Sequence, residues 1–131
     1  YPEVTAPRIM TAMSQAAVDR YLADLRPDGT LIVDSELVSS LPQDALYRIL
    51  RGPFTQVAGE ELGRTIVANM VMLGFLVAAT ALVGRDSLRQ VVRQGVPPGT
   101  EKLNLKALER GMELAGETTP RASPSRSPGA R

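Results

Sequence analysis

Three small groups of polar residues in this 131-residue sequence occupy positions where α/β proteins place their chemistry. Ser14-Gln15 follow a short apolar run, Asp34-Ser35-Glu36 follow another, and Asn69 interrupts a long uncharged apolar stretch. Ser14 at a helix start can accept a backbone N–H as a cap, or can help the free N–H groups there to hold an anion. Asp34 and Glu36 have the residue types of a general acid/base pair, and equally those of two solvated loop carboxylates. A side-chain amide at 69, on an all-apolar helix, must find partners or costs about 1–3 kcal/mol. It either bonds to a loop backbone, such as the turn before the helix, or is presented to a ligand or a partner subunit.

What is missing narrows the chemistry further. The chain has no Cys, no His and no Trp. It therefore cannot form a disulfide, a thiolate–zinc site, a self-ligated iron–sulfur cluster or a thiol nucleophile. The usual near-neutral acid/base group is absent as well. No Walker loop, GxSxG, HExxH or GxGxxG occurs. With 15 basic and 14 acidic residues the net charge is +1, which gives no sequence-independent pull toward nucleic acid.

The elements that must position those polar groups are legible in the apolar pattern. Residues 8–13 (RIMTAM) and 30–34 (TLIVD) are short runs apolar on both faces, the pattern of a parallel sheet covered by helices. Between them Val18, Tyr21, Leu22 and Leu25 share one helix face, with Ser14 at the cap position and Pro27-Asp28-Gly29 as the turn. This spacing predicts a βαβ unit with a right-handed helical crossover. Residues 45–50 are a weaker strand candidate, and Thr55 is placed to cap a short helix to about Leu62. Residues 86–94 predict an amphipathic helix with Leu88, Val91 and Val92 inward. Thr100 is placed to cap another over about 101–115, with Leu105, Leu108 and Met112 inward and Lys102, Lys106, Glu109 and Glu113 in water. In an open parallel sheet ligands bind beyond the carboxyl ends of the strands, where Ser14, Gln15, Asp34, Ser35 and Glu36 fall.

Positions 66–83 are 18 residues without a charge, the threshold for a membrane span. As a helix this run would reach about 27 Å against a hydrocarbon core of about 30 Å. Arg64 and Arg85 flank it, but neither end carries Trp or Tyr as an interfacial anchor. Its small residues, among them Gly74 and Ala78 in small-xxx-small spacing, suit close helix packing. A central buried helix is the expectation.

The last 15 residues, ETTPRASPSRSPGAR, hold three prolines and no large apolar side chain. They cannot offset their own ordering entropy, so the expected organisation is a folded domain over 1–116 and a disordered tail over 117–131. Without the tail the charge is 12 basic against 13 acidic, so the mild basicity belongs to the tail. Ser123-Pro124 and Ser127-Pro128 are either phosphorylation or docking sites, or parts of a solvated extension. Tyr1 opens a stretch with no signal-peptide pattern, and the chain reads as though it begins partway through a fold.

Three stretches, SQAAVDRYLADLRPDGTLIVDSELV (14–38), VANMVMLGFLVAATALV (67–83) and EKLNLKALERGMELA (101–115), resemble the gamma subunit of 2-oxoacid:ferredoxin oxidoreductases. The likeness is strongest to the separate gamma subunit of the 2-oxoglutarate (KorC-like) enzymes. YPEV at the start also resembles a segment that lies well inside that subunit. The resemblance covers about residues 1–115 and implies an α/β, Rossmann-like three-layer domain with a mostly parallel sheet. Family members begin with a strand, a Gly-Gly-Gln-Gly loop and a helix. That segment is absent here, so the expected fold is N-terminally truncated and leaves an apolar sheet edge open.

The resemblance implies a subunit of a cytoplasmic enzyme that oxidatively decarboxylates a 2-oxoacid to an acyl-CoA. Thiamine diphosphate, iron–sulfur clusters and coenzyme A serve the complex, and ferredoxin takes the electrons. The implied partners are alpha and beta subunits, with a delta subunit as a further candidate; they hold the thiamine diphosphate and the clusters. None of these cofactors is expected on this chain alone, and no metal, nucleic acid or membrane. The substrate implied first is 2-oxoglutarate, with pyruvate or a branched-chain 2-oxoacid as alternatives. Ser14, Gln15, Asp34, Ser35 and Asn69 match the family pattern as candidate ligand- or interface-facing residues, and none is expected to be catalytic. The alternative reading of the same elements is a Rossmann-like binding or scaffold module without 2-oxoacid chemistry.

Overall fold

A computed structural model of the chain describes residues 8–43 and 46–118. Three strands, β1 (Ile9–Ala12), β2 (Thr30–Asp34) and β3 (Arg48–Gly52), form one parallel sheet in the order β1-β2-β3. Ile9 stands opposite Thr30 and Ala12 opposite Val33, while Thr30 stands opposite Arg48 and Asp34 opposite Gly52. The third strand lies further along than residues 45–50, because the register with β2 carries Arg51 and Gly52 into the ladder.

Side-chain alternation divides the core between the two faces of the sheet. Leu31 and Val33 join Val18 and Leu25 in one cluster. Val18 lies on α1 (Gln15–Tyr21), which a 3₁₀ turn (Leu22–Asp24) extends. The apolar face expected at Val18, Leu22 and Leu25 is the one that packs, although Tyr21 remains exposed. Ile32 and Leu50 join the opposite cluster, built with α2 (Phe54–Glu60), α3 (Ala68–Thr80) and α5 (Glu101–Thr118). Phe54 of α2 meets Phe75 of α3 edge to face, ring centroids 5.0 Å apart, a contact worth about 0.5–1.5 kcal/mol beyond burial. The three-layer arrangement is thus present, with every strand pair parallel.

The long apolar run is shorter as a helix than expected. A 3₁₀ turn (Thr65–Val67) precedes α3, and Ala81, in the left-handed region at φ 54°, ends it after 13 residues. Ile66, Leu82 and Val83 lie outside the helix and are exposed. The helix itself is buried along Val71, Gly74 and Phe75, while Met72, Leu73 and Leu76 are only half-buried and Asn69 is exposed. Among the described residues no helix is long and apolar enough to cross a membrane.

Close packing of α3 depends on glycine. A Cβ on Gly74 would lie 2.0 Å from the Leu108 carbonyl oxygen of α5, and one on Gly111 would lie 1.9 Å from that of Val71. The two helices therefore cross backbone against backbone, with Gly74 on α3 and Gly111 on α5 giving the room, the close packing that the small residues of α3 suggest.

Helix α4 (Arg85–Gly95) lies outermost, held to α5 by Leu88, Val92, Leu105, Leu108 and Met112. Val91 is 65% exposed rather than inward, because the buried arc of so peripheral a helix is narrow. Arg89 binds both Glu109 and Asp86, and Arg110 binds Glu61, Glu113 and Glu117. Helix α5 runs through Thr118 and so includes Glu117, the first residue of the expected tail. The rest of the expected tail, with Ser123 and Ser127, lies outside the described residues.

Candidate functional site

The carboxyl ends of the three strands bring together Ser14 and Gln15 after β1, Asp34 and Ser35 after β2, and Pro53 after β3. Most of the polar groups there turn out to be satisfied from within. Ser14 is a cap: its Oγ accepts the Ala17 N–H at 3.1 Å, and its extended backbone leads into α1. Its oxygen is thus engaged by the helix, while its O–H remains a donor.

Asp34 is fully buried, unlike a solvated loop carboxylate, and no acid/base pair forms with the exposed Glu36. Its Oδ1 accepts the N–H groups of Glu36 (2.9 Å) and Leu37 (3.1 Å), and its Oδ2 accepts the Thr55 N–H at 2.9 Å. Three backbone N–H donors satisfy the acceptor oxygens of a carboxyl group that burial cuts off from water. The third bond reaches the first turn of α2. Asp34 thus does what Thr55 was expected to do, and does it across 21 residues. Pro53 occupies the cap position, has no N–H and makes no side-chain cap bond, and the Thr55 N–H in the first turn goes to Asp34 instead. A carboxylate built into the fold fills the place at which a helix start would attract a bound anion.

Gln15 uses its carboxamide to capacity. Its Oε1 accepts the N–H groups of Ser39 (3.0 Å) and Ser40 (2.9 Å), and its Nε2 donates to Asp19 Oδ1 and the Ser40 carbonyl, both at 2.9 Å. Two acceptances and two donations exhaust an amide.

Two of the five candidates remain outward. Ser35 is exposed; its backbone N–H goes to the Gly52 carbonyl, and among the described residues no hydrogen bond reaches its hydroxyl. Asn69 is exposed at the start of α3, and among the described residues no hydrogen bond reaches its amide, so the loop-backbone partner does not exist there. Arg51, exposed at the carboxyl end of β3, is a cation that the apolar pattern hides by ending that strand at Leu50. The five residues therefore divide into three that build the edge and two that face outward.

The electrostatics lie elsewhere, on the helical side. The Arg110 guanidinium holds Glu61 below the usual carboxylate range, and that of Arg89 does the same to Glu109; burial opposes both shifts. The two arginines are raised in turn, mainly by these hydrogen bonds. Among the described residues no three His, Cys, Asp or Glu side chains converge to hold a metal ion.

A sheet of this topology with an internally satisfied edge can be set against known families. The model of the family described as pyruvate ferredoxin/flavodoxin oxidoreductase matches residues 1–114. The chain belongs to that family. The 2-oxoglutarate synthase subunit KorC of Methanothermobacter marburgensis is 41% identical over 122 residues, which are 89% of this chain and 66% of the relative. KorC of Methanocaldococcus jannaschii is 40% identical over 121 residues, covering 89% of this chain and 63% of its own. The chain thus spans just under two thirds of the length of these relatives. The ketoisovalerate oxidoreductase subunit VorA of Methanothermobacter thermautotrophicus is 31% identical, over 24% of its length.

Among solved structures, the keto/oxoacid ferredoxin oxidoreductase gamma subunit from Geobacter sulfurreducens superposes with a TM-score of 0.80 at 38% identity. It covers 85% of this chain and 65% of the other. The 2-oxoglutarate:ferredoxin oxidoreductase from Magnetococcus marinus, solved with 2-oxoglutarate, coenzyme A and succinyl-CoA bound, has a TM-score of 0.72 at 20% identity. It covers 89% of this chain and 22% of that one, and shares the fold.

Proposed function

We propose that this chain serves as a gamma-type subunit of a cytoplasmic 2-oxoacid:ferredoxin oxidoreductase whose substrate is 2-oxoglutarate. The complex oxidatively decarboxylates the 2-oxoacid, forms the acyl-CoA and passes electrons to ferredoxin. The observation that carries this reading is the 40–42% identity to KorC subunits over 89% of the chain, against 31% to VorA.

The residues present divide the labour accordingly. Iron–sulfur clusters are held by cysteine thiolates, and this chain has no cysteine, so it does not fit a cluster and the redox centres fall to alpha, beta or delta subunits. Thiamine diphosphate needs an anion and metal site. The helix starts of α1 and α2 are capped by Ser14 and Asp34, and among the described residues no carboxylate cluster stands near them. The cofactor is therefore assigned to a partner too. What this chain contributes is a shaped edge with Ser35 turned outward, and separately an exposed Asn69 at the start of α3, each free to face coenzyme A, substrate or a neighbouring subunit.

The test is co-expression with the alpha and beta subunits of the same organism. Co-purification, with ferredoxin reduction that requires both 2-oxoglutarate and coenzyme A, is the expected result. A chain that stays apart from both subunits ends the proposal. The VorA likeness favours a second reading, a branched-chain 2-oxoacid enzyme, which predicts faster turnover of 3-methyl-2-oxobutanoate by the same preparation.

A further inference from the structure

Neighbouring parallel strands need a connection that crosses one face of the sheet, and such connections usually contain a helix. Between β2 and β3, the described residues of the 35–47 segment contain none. The two ends of this crossover are tied to the sheet: the Ser35 N–H to the Gly52 carbonyl at one end, and the Arg48 N–H to the Gly29 carbonyl at the other. Val38 is buried against Val18, Leu31 and Val33, and Leu41 packs beside them. In the middle, the N–H groups of Ser39 and Ser40 and the Ser40 carbonyl meet one side chain, that of Gln15. A cleft of about 380 Å³ separates this segment from α1, lined by Val18, Asp19, Leu22, Ser40, Leu41 and Pro42.

From this geometry we infer that Gln15 is a positioning residue, and that it holds the 39–41 segment against α1 as a strap at the carboxyl edge of the sheet. It stands in for the backbone bonds a crossover helix would supply. Its four hydrogen-bonding positions are all occupied, so it has no capacity for a ligand. Releasing it frees the middle of the strap while both ends stay anchored, which widens the cleft over Val18 and Leu22. The strap is the same whichever substrate the complex takes.

Hydrogen exchange of the full 131-residue chain, resolved by NMR, tests it. Gln15→Ala should speed exchange of the Ser39 and Ser40 amides about tenfold or more, with β2 and β3 amides unchanged. Gln15→Met, of similar length but with no amide to accept or donate these bonds, should speed exchange at Ser39 and Ser40 to the same degree, which separates the lost hydrogen bonds from lost packing. Unchanged exchange in Gln15→Ala overturns the inference. So does equal acceleration throughout the sheet, which would make Gln15 a general stabiliser. Slow exchange retained in Gln15→Met also overturns it, because acceptance by Oε1 is the bond that holds the strap.

Discussion

Replacing Gly111 by alanine tests the close helix crossing where it is sharpest. An added Cβ would lie 1.9 Å from the Val71 carbonyl oxygen and 2.9 Å from the Phe75 nitrogen, both backbone atoms on the facing helix. No rotamer change relieves such a contact. Helix α5 must move away from α3 by about 1 Å to bring the nearest approach toward 3.0 Å. A gap of that size forfeits about a quarter to a half of each van der Waals well along the seam, which holds Val71, Phe75, Ala107 and Leu114. Overpacking of this kind costs about 1–3 kcal/mol and more where backbone is struck, against a gain of about 1 kcal/mol from the better helix former. The net expectation is a loss of about 2 kcal/mol, a large part of the roughly 5–15 kcal/mol that holds a domain together. Urea unfolding followed by circular dichroism measures it. Gly116→Ala is the control on the same helix, since nothing lies within 4 Å of its added Cβ, and it should stabilise by up to about 1 kcal/mol. A Gly111→Ala chain as stable as the parent, or a control that loses as much, refutes the close crossing.

Asp34→Asn exchanges one of the carboxylate's acceptor oxygens for a donor, which must then face an N–H of Thr55, Glu36 or Leu37. Thermal unfolding should register a loss of about 2–3 kcal/mol, and a neutral outcome would show the cap to be dispensable. Asn69→Leu, at an exposed amide, should leave stability within about 0.5 kcal/mol while reducing co-purification with partner subunits. A variant that assembles as before, or that unfolds, removes Asn69 from the interface. The ion pairs give an acid signature. Folded Glu61 and Glu109 lie below their unfolded value of about 4.3, so their contribution is complete above that pH and is lost as pH falls through the lower folded values. Both side chains are over 40% exposed, so solvent screens the two pairs and keeps the effect small. Glu109→Gln should accordingly flatten the fall of the urea midpoint as pH drops below the unfolded carboxylate value, and an unaltered slope would leave the pair without energetic weight.

Elements written as local pattern are legible in the sequence alone. Strand β2 matches its apolar run residue for residue, and α5 follows its stripe of Leu105, Leu108 and Met112 because burial on one side is enough to define a helix. Contacts made across long separations are not legible in the same way. Nothing local to Asp34 announces that its carboxylate caps a helix 21 residues away, and nothing beside Gln15 announces Ser39 and Ser40. The crossing of Gly74 with Gly111 is likewise a fact about two helices, so the small-residue spacing within α3 shows a close-packing face without naming its partner. Local pattern also overstates α3, since a left-handed turn at an alanine carries no sequence signature.

These differences share a direction that bears on function. Polar residues at the carboxyl edge of a parallel sheet invite assignment to ligands. Here Ser14, Gln15 and Asp34 spend their hydrogen-bonding capacity on backbone that no regular element would satisfy: two helix starts and a crossover without a helix. An edge built this way is rigid before any partner arrives, so the binding energy of an incoming subunit or ligand is not consumed in ordering it. The same internal satisfaction leaves the edge few groups of its own with which to perform a reaction. Under the proposed function, in which the cofactors stand on neighbouring subunits, positional precision is what this edge contributes. Substitutions at Ser14, Gln15 or Asp34 should therefore register in folding and exchange measurements, and those at Ser35 or Asn69 in assembly and turnover.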